Sequence, residues 1–249
     1  MNLSRILAAA AIGAAAMFGT AVPSDAGFGI GLGRAVEAAT TINDSLTSGR
    51  SVATRRSGGS FTAEGWKVTD PATGGKVGAY LLYALPAGTR SGTVEFEAKG
   101  FRFGRQPDGS RADNREHFWG VWDKDGPHDS EDRASGFLLR LYDHRIPDGT
   151  FFAGSHRWRF ISPETGDVDA DRKSPVAWNP QRWYRIRFEW SQTQGRWFKD
   201  GVLQGTVRVR NLGRSYRYVY VGSDYRSNFA VPAGITYRNV RVTGTGSRS

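Results

Sequence analysis

The sequence predicts an all-β protein, folded as a sandwich or a barrel, and three observations support this fold class. From Phe61 onward, short apolar and β-branched runs are separated by Gly, Pro, Asp and Asn, which is typical of antiparallel sheets. No stretch after residue 60 shows a helical period. Aromatic residues make up 12% of the chain and eight of them are tryptophans, which fits a sandwich core, a sugar-binding surface or both.

The strands are predicted from runs in which apolar and polar residues alternate, because successive side chains of a strand face opposite sides of its sheet. In WYRIRFEW, the residues predicted to face the core are Tyr184, Ile186, Phe188 and Trp190. Arg185 and Arg187, between them, are predicted to reach solvent or a groove. Asp200 and Gly201 tolerate positive φ and predict a tight hairpin turn. The predicted strands are 65–69, 76–85, 92–101, 117–122, 136–142, 150–152, 158–161, 183–191, 196–199, 202–207, 217–221 and 236–242.

Residues 1–26 are typical of a signal peptide. Arg5 precedes an apolar run that ends at Phe18, and the small residues Ser24 and Ala26 have the spacing of a cleavage site. The run is shorter than the roughly 20 residues of a membrane span, so we expect no transmembrane segment in the mature chain. We therefore predict export to the periplasm or the extracellular space.

The rest of the chain is predicted to divide into a leader and one domain. Residues 27–60 are rich in Gly, Ser, Thr and Ala and are predicted to form a flexible leader, with a short helix near 36–46. The folded domain is predicted to occupy residues 61–249.

Composition restricts the chemistry and the partners. The chain contains no cysteine, which excludes disulfides, thiol nucleophiles and thiolate metal sites. Its formal charge is +10 and arginine supplies most of its 34 basic residues, which favours polyanions such as acidic polysaccharide, anionic lipid or nucleic acid. No RNA-binding aromatic motif or recognition helix is visible, so nucleic acid is not predicted as a partner.

Several segments, in this order, resemble the concanavalin A-like lectin/glucanase superfamily and its branch of laminarinases, lichenases and agarases. They are GTVEFEAKG, HFWGVWDKDG, SGFLLRLYD, RWYRIRFEWSQTQGRWFKDGVLQG and the closing GITYRNVRVTG. The resemblance spans about 61–244. It implies a two-sheet antiparallel jelly-roll sandwich and a polysaccharide or glycoconjugate as the partner.

The resemblance also bears on catalysis. In that branch the catalytic strand reads G-E-x-D-x-x-E, and the matching stretch here is GFLLRLYD. Aligned on Gly136, it has Phe137, Leu139 and Tyr142 at the three acidic positions, and a shift by one residue does not restore the pair of glutamates. The sequence therefore predicts a non-catalytic, lectin-like carbohydrate-binding protein that favours an anionic polysaccharide.

Two sets of residues are candidates for binding a glycan. One is a pair of glutamates two residues apart on one strand, which share a face and are either its solvent side or sugar contacts. The other is an aromatic and cationic groove formed by alternate residues of the 117–122 and 136–142 strands, since rings stack on sugars and arginine binds carboxylates. The predicted glycan-binding residues are Glu95, Glu97, His117, Trp119, Arg140, Tyr142 and His144.

The groove also permits an enzyme that cleaves polysaccharides. A lyase acting on uronate polymers needs a cation for the carboxylate and a base near the sugar C5, for which His117, Tyr142 and His144 are candidates. The signatures of alginate lyases, R-x-E-x-R, Q-x-H and Y-x-K-x-G, are absent. The sequence is also compatible with a divergent glycoside hydrolase and with a structural protein of the cell envelope.

No cofactor and no metal site is predicted. The acidic stretches DKDGPHDSED and DVDAD are the candidates for a structural calcium ion, but neither follows a complete calcium-loop pattern. The four histidines have no close ligand spacing, which does not favour zinc.

Overall fold

β-Strands are the regular elements of the chain in the part that the computed structural model describes, residues 38–70, 78–100, 115–128, 136–145, 151–161, 168–173, 179–208, 213–224 and 234–246. These residues all belong to the unit Ala35–Ser249. None of them forms a helix long and apolar enough to cross a membrane. The strands are β1 (Ala38–Asp44), β2 (Arg55–Ser57), β3 (Gly59–Thr62), β4 (Gly65–Val68), β5 (Tyr80–Ala84), β6 (Thr89–Lys99), β7 (Arg115–Trp122), β8 (Gly136–Arg145), β9 (Phe151–Ile161), β10 (Val168–Lys173), β11 (Tyr184–Trp190), β12 (Gln194–Lys199), β13 (Val202–Arg208), β14 (Tyr218–Gly222) and β15 (Thr236–Gly246).

The strands form two antiparallel sheets that pack face to face. Sheet A has the order β13-β12-β11-β6-β15-β4-β3, and β1 also pairs with β15. Sheet B has the order β10-β9-β8-β7-β14-β5-β2. The predicted fold class, an all-β sandwich of two antiparallel sheets, is confirmed.

The core lies between the sheets and consists of the alternate residues that face inward. On β11, Tyr184 and Trp190 are each 2% exposed and Ile186 and Phe188 are fully buried, so the predicted phase of this strand is confirmed. Phe188 of sheet A stacks on Trp119 of sheet B with ring centroids 3.8 Å apart. Large aromatic rings thus fill the space between the sheets, which accounts for much of the tryptophan content.

The turn between β12 and β13 has the predicted tight geometry. Asp200 and Gly201 have φ values of 50° and 82°, and the flanking residues Lys199 and Val202 are partners in register. Positive φ at both central residues is the backbone of a two-residue hairpin turn that matches the twist of the strands.

The predicted flexible leader is wrong for residues 38–60. They contribute β1, β2 and the start of β3, and β1 pairs with β15 from Ala38↔Gly246 to Asp44↔Val240, so no helix forms here. Composition hid these strands because their partners are distant in sequence and the segment carries few large apolar residues. Residues 27–37 and the predicted signal peptide lie outside the described residues.

The second acidic stretch contributes a strand that was not among those predicted. Strand β10 begins at Val168 and pairs with β9, with Asp171 opposite Arg159. Strand β9 itself runs unbroken through the two short strands predicted at 150–152 and 158–161. The DVDAD stretch is therefore part of a sheet from Val168 onward.

Candidate functional site

The outer face of sheet B, which points away from the core, carries its own layer of large side chains. Leu82, Trp122, Leu138 and Tyr220 form a second buried cluster there, and the half-buried Tyr80 and Tyr218 pack against it. The outward phase of β5, β7, β8 and β14 places these residues together. Because these side chains are buried, another segment of the protein covers this face of the sheet.

The segment 123–128, which follows β7, supplies part of that cover. Its last residue, His128, is 1% exposed. The imidazole stacks on Trp122 with centroids 4.0 Å apart and planes 12° apart. It also meets Tyr220 edge-on at 5.6 Å. The histidine thus holds this segment against the aromatic layer.

Both ring nitrogens of His128 face acceptors. Nδ1 lies 2.5 Å from Oδ2 of Asp224, a carboxylate that is itself buried. Nε2 lies 3.2 Å from the carbonyl oxygen of Lys124. A general base needs a nitrogen that can reach the substrate proton. In this arrangement His128 has none, and its contacts fix the segment in place.

Tyr220 makes the second connection to the segment. Its hydroxyl accepts a 2.9 Å hydrogen bond from the Gly126 amide and donates a 3.0 Å bond to Asp125 Oδ1. Arg55 of β2 pairs with Asp125 and donates to the Tyr220 hydroxyl at 3.4 Å. Burial, followed by the charge of Asp224, raises the pKa of Tyr220 well above its usual value, so the phenol keeps its proton. We call these contacts the loop clamp, formed by Arg55, Asp125, Gly126, His128, Tyr220 and Asp224.

Gly126 is required at its position because there is no room for a side chain. A Cβ atom there would overlap Asp224 Oδ2 and would lie 2.8 Å from His128 Nδ1 and 2.9 Å from the Tyr220 hydroxyl. Cβ atoms are essentially never that close to such neighbours, so the loop clamp closes around a residue without a side chain.

Beside the loop clamp, the register of β7 to β10 aligns positive residues. In one row across the strands, the residues in order are Arg115, Tyr142, Arg157 and Lys173. In the next row they are His117, Arg140, Arg159 and Asp171. Residues directly opposite one another share a face, and Arg140 and Tyr142 are two and four positions beyond the outward-facing Leu138. We call these two sets the cationic rows.

The structure places the predicted site residues on two different sheets. Arg140 and Tyr142 lie in the cationic rows, opposite His117 and Arg115 respectively. His144 has no partner in the register, which shifts between Asp143 and Arg145. The glutamate pair belongs to β6 of sheet A, so the seven residues do not form one site.

The prediction that Trp119 binds a glycan is wrong, because its side chain cannot reach a sugar in a groove. Its side chain is fully buried and stacks on Phe188 in the core. The register between β7 and β8 shifts between His117 and Trp119. This irregularity removes the shared parity from which both residues were placed on one face. The described aromatic residues on the outer face of sheet B include Trp122 and Tyr220, with Tyr80 and Tyr218 beside them.

The two glutamates lie on the solvent side of sheet A, paired with arginines of neighbouring strands. Glu95 Oε1 is 2.6 Å from Nη2 of Arg185. Glu97 Oε2 is 2.5 Å from Nε of Arg238 and 3.1 Å from Nδ2 of Asn239. Opposite charges across strands stabilise a half-exposed sheet face.

The loop clamp was missed by sequence reasoning. In RYVYVG, Tyr218 and Tyr220 alternate with valines. This alternation could have indicated that one face of the strand carries aromatic side chains. Nothing in one sequence brings Arg55 or Asp224 to Asp125 and His128, since these residues are far apart along the chain.

In the described part of the acidic stretch after β7, two aspartates form ion pairs with arginines. Asp123 Oδ2 is 3.3 Å from Nη1 of Arg214, and Asp125 pairs with Arg55. Within the described ranges, no three His, Cys, Asp or Glu residues cluster as metal ligands. Asp129, Glu131 and Asp132 lie outside those ranges.

Comparisons with known proteins do not assign this chain to a family. No family model and no curated protein matches the chain. Among solved structures, the Emp47p carbohydrate recognition domain is 16% identical, with a TM-score of 0.49 over 82% of this chain and 95% of that one. The carbohydrate-binding module CBM66 from Bacillus subtilis is 14% identical, with a TM-score of 0.42 over 76% of this chain and 93% of that one.

A sialidase from Trypanosoma rangeli, in complex with sialic acid, is 14% identical with a TM-score of 0.48 over 75% of this chain. This chain spans only 26% of the length of that enzyme. At such identities and TM-scores, these likenesses carry no argument about this chain, and its function has to be argued from its own residues.

Proposed function

We propose that this protein binds carbohydrate on the outer face of sheet B and that it favours anionic polysaccharides. The observation that carries this proposal is the register of the cationic rows. Arg140 lies between His117 and Arg159, and Tyr142 lies between Arg115 and Arg157. Asp171 is the single acid at the described positions of these rows. Repeated guanidinium groups suit a polymer that repeats carboxylates.

The rest of the molecule supports the same partner. The formal charge of +10 attracts polyanions over a distance set by salt. On the same sheet, the half-buried rings of Tyr80 and Tyr218 offer apolar surface of the kind that stacks on sugars. The loop clamp keeps the segment 123–128 fixed beside them, so little ordering is required on binding. With the predicted signal peptide, we place this activity outside the cytoplasm.

The proposal is tested with alginate and polygalacturonate against the neutral glucan laminarin, with affinity measured over a range of salt concentrations. We expect the uronates to bind more tightly and to weaken as salt rises. Arg140→Ala should lower both the affinity and its salt dependence. Arg241→Ala is the matched control, because it removes the same charge from an exposed position on sheet A.

Equal losses in the two variants would show that only the overall charge matters. Tighter binding of laminarin at every salt concentration would overturn the preference for anions. Arg140→Lys should not restore full affinity, because a lysine lacks the planar fork that pairs with a carboxylate.

A second candidate is a lyase that cleaves uronate polymers, and one specific observation favours it. The register puts Tyr142 between two arginines and His117 beside Arg140. In such an enzyme, arginine would neutralise the carboxylate and tyrosine or histidine would take the C5 proton as the bond from C4 to its oxygen breaks. The product is an unsaturated uronate, which absorbs in the ultraviolet. A rise in absorbance with alginate that Tyr142→Phe abolishes would establish this function.

A further inference from the structure

The outer face of sheet A carries a groove that the proposed function does not use. Its volume is about 290 Å³, near the lower end of the roughly 300–1,000 Å³ of small-molecule sites. It lies over β6 and is lined by parts of β11, β12 and β15, on the opposite side of the sandwich from the cationic rows.

Hydroxyl groups form the floor of the groove. Thr93 and Thr243 are directly opposite in register and are half-buried. Their hydroxyls make no hydrogen bond within the described residues. In the next row, the hydroxyl oxygens of Ser91 and Thr245 lie 2.6 Å apart and each keeps capacity for a further bond. The floor therefore presents paired donors and acceptors to whatever enters.

One wall of the groove is charged but balanced. Glu189 Oε2 accepts a 2.5 Å hydrogen bond from Nη2 of Arg196, and Oε1 lies 3.3 Å from Nη2 of Arg187. Because one carboxylate and one guanidinium line the groove, it carries no net charge. Arg196 is 44% exposed, and the donors that it does not use for Glu189 face the solvent side.

The groove exists because its floor is built from small residues. Gly92 and Gly244 lie between the threonine and serine rows but face the core, where a Cβ atom would meet Trp190 and Leu85 respectively, so the serine and threonine side chains form the floor. Glu189 and Arg196 stand on the neighbouring strands in the same row as Thr93. Short side chains on two strands beside long ones on the next two leave a recess in a sheet face that would otherwise be level.

We infer that this groove is a second binding site, for a neutral polyhydroxylated ligand such as one sugar residue. A ligand of this class matches the unused hydroxyls, the amide of Gln194 and the balanced Glu189–Arg196 pair, each of which can donate to or accept from a sugar hydroxyl. An anion gains little here, because the carboxylate of Glu189 offsets the guanidinium of Arg196. The inference is independent of the proposed function, since it concerns the other sheet.

The test is saturation-transfer NMR on the full protein with the methyl glycosides of glucose, galactose and mannose. At least one should bind, with an affinity that changes little with salt. Thr93→Val and Thr243→Val each replace a hydroxyl by a methyl group and should weaken binding up to about ten-fold. Thr41→Val is the matched control, because Thr41 is opposite Thr243 in the same row but outside the groove.

Three outcomes would contradict the inference. No signal from any of the three glycosides, or equal affinity for Thr93→Val and Thr41→Val, would overturn the inference. A loss of glycoside binding in Arg140→Ala, with none in Thr93→Val, would move the ligand to sheet B. Binding of polygalacturonate should be unchanged in Thr93→Val, so the two sites can fail separately. Melting temperatures of the variants verify that each still folds.

Discussion

The hydroxyl of Tyr83 donates a 3.0 Å hydrogen bond to Oδ2 of Asp44, which joins the end of β1 in sheet A to a core strand of sheet B. Both side chains are buried, and Asp44 also accepts a 3.1 Å bond from the Val52 amide. Burial, followed by the charge of Asp44, raises the pKa of Tyr83 well above its usual value. A buried carboxylate thus anchors the start of the described chain.

We expect Tyr83→Phe to lower the free energy of unfolding by roughly 1–3 kcal/mol, because it leaves a buried acceptor without one of its partners. Chemical denaturation of both proteins measures the difference. Tyr80→Phe is the control, since the Tyr80 hydroxyl has no hydrogen bond among the described residues, and it should change stability by less than about 0.5 kcal/mol. Equal effects would mean that the contact with Asp44 contributes nothing.

The phase of β11 is tested by two substitutions three residues apart. Trp190→Ala removes a side chain that is 2% exposed and should cost roughly 3–5 kcal/mol. Arg187→Ala removes a side chain that is 38% exposed, so it should cost about 0.5 kcal/mol or less. Thermal unfolding compares them, and equal melting temperatures would contradict the burial of Trp190.

Gly126→Ala should open the loop clamp, because the added methyl group overlaps Asp224 and crowds His128 and Tyr220. We expect lower stability and a changed near-ultraviolet circular dichroism signal, since the ring of Trp122 stacks on His128. Lys124→Ala is the control from the same segment, because only the backbone of Lys124 contacts His128. An unchanged Trp122 signal in Gly126→Ala would show that the segment accommodates the methyl group.

Stability should fall at alkaline pH because buried phenols resist ionisation. Burial raises the pKa of Tyr216 to about 12, so the folded state holds this proton more tightly than the unfolded state. The stability that the folded state gains from holding this proton is complete below a pH of about 10 and is lost as the pH rises to about 12. A pKa shift of about two units corresponds to a loss of up to about 3 kcal/mol in the free energy of unfolding. Unfolding measured from pH 8 to 12 should show a shallower decline for Tyr216→Phe than for the unaltered protein.

Hydrolysis of neutral β-glucans should be absent. Phe137 and Leu139, which align with two acidic positions of the glucanase pattern, are fully buried in the core. Glu95, on the neighbouring sheet, is paired with Arg185. Reducing ends should therefore not appear from laminarin, lichenan or agarose. Their release, and its loss in Glu95→Gln or Glu97→Gln, would contradict this expectation.

Local patterns in the sequence were sufficient for elements whose own residues determine them. The alternation around Phe188 indicated which side faces the core, and Asp200-Gly201 indicated the hairpin, since both depend on neighbours in the chain. Trp119 was placed on the wrong face because an irregularity in one strand's pairing leaves no mark in the alternation itself. The loop clamp depends on Arg55 and Asp224 meeting residues far along the chain, so it requires the three-dimensional structure.

The pairing of β1 with β15 has a consequence for solubility. Strand β15 spans eleven residues, and β4 covers only Thr236 and Tyr237 on the side opposite β6. Without β1, the backbone amide and carbonyl groups of 240–246 would form a long, unprotected edge. Such edges recruit strands from other molecules and begin aggregation. A chain shortened to the domain start predicted at residue 61 would therefore be expected to associate with copies of itself, and β1 serves as the edge protection of the sandwich.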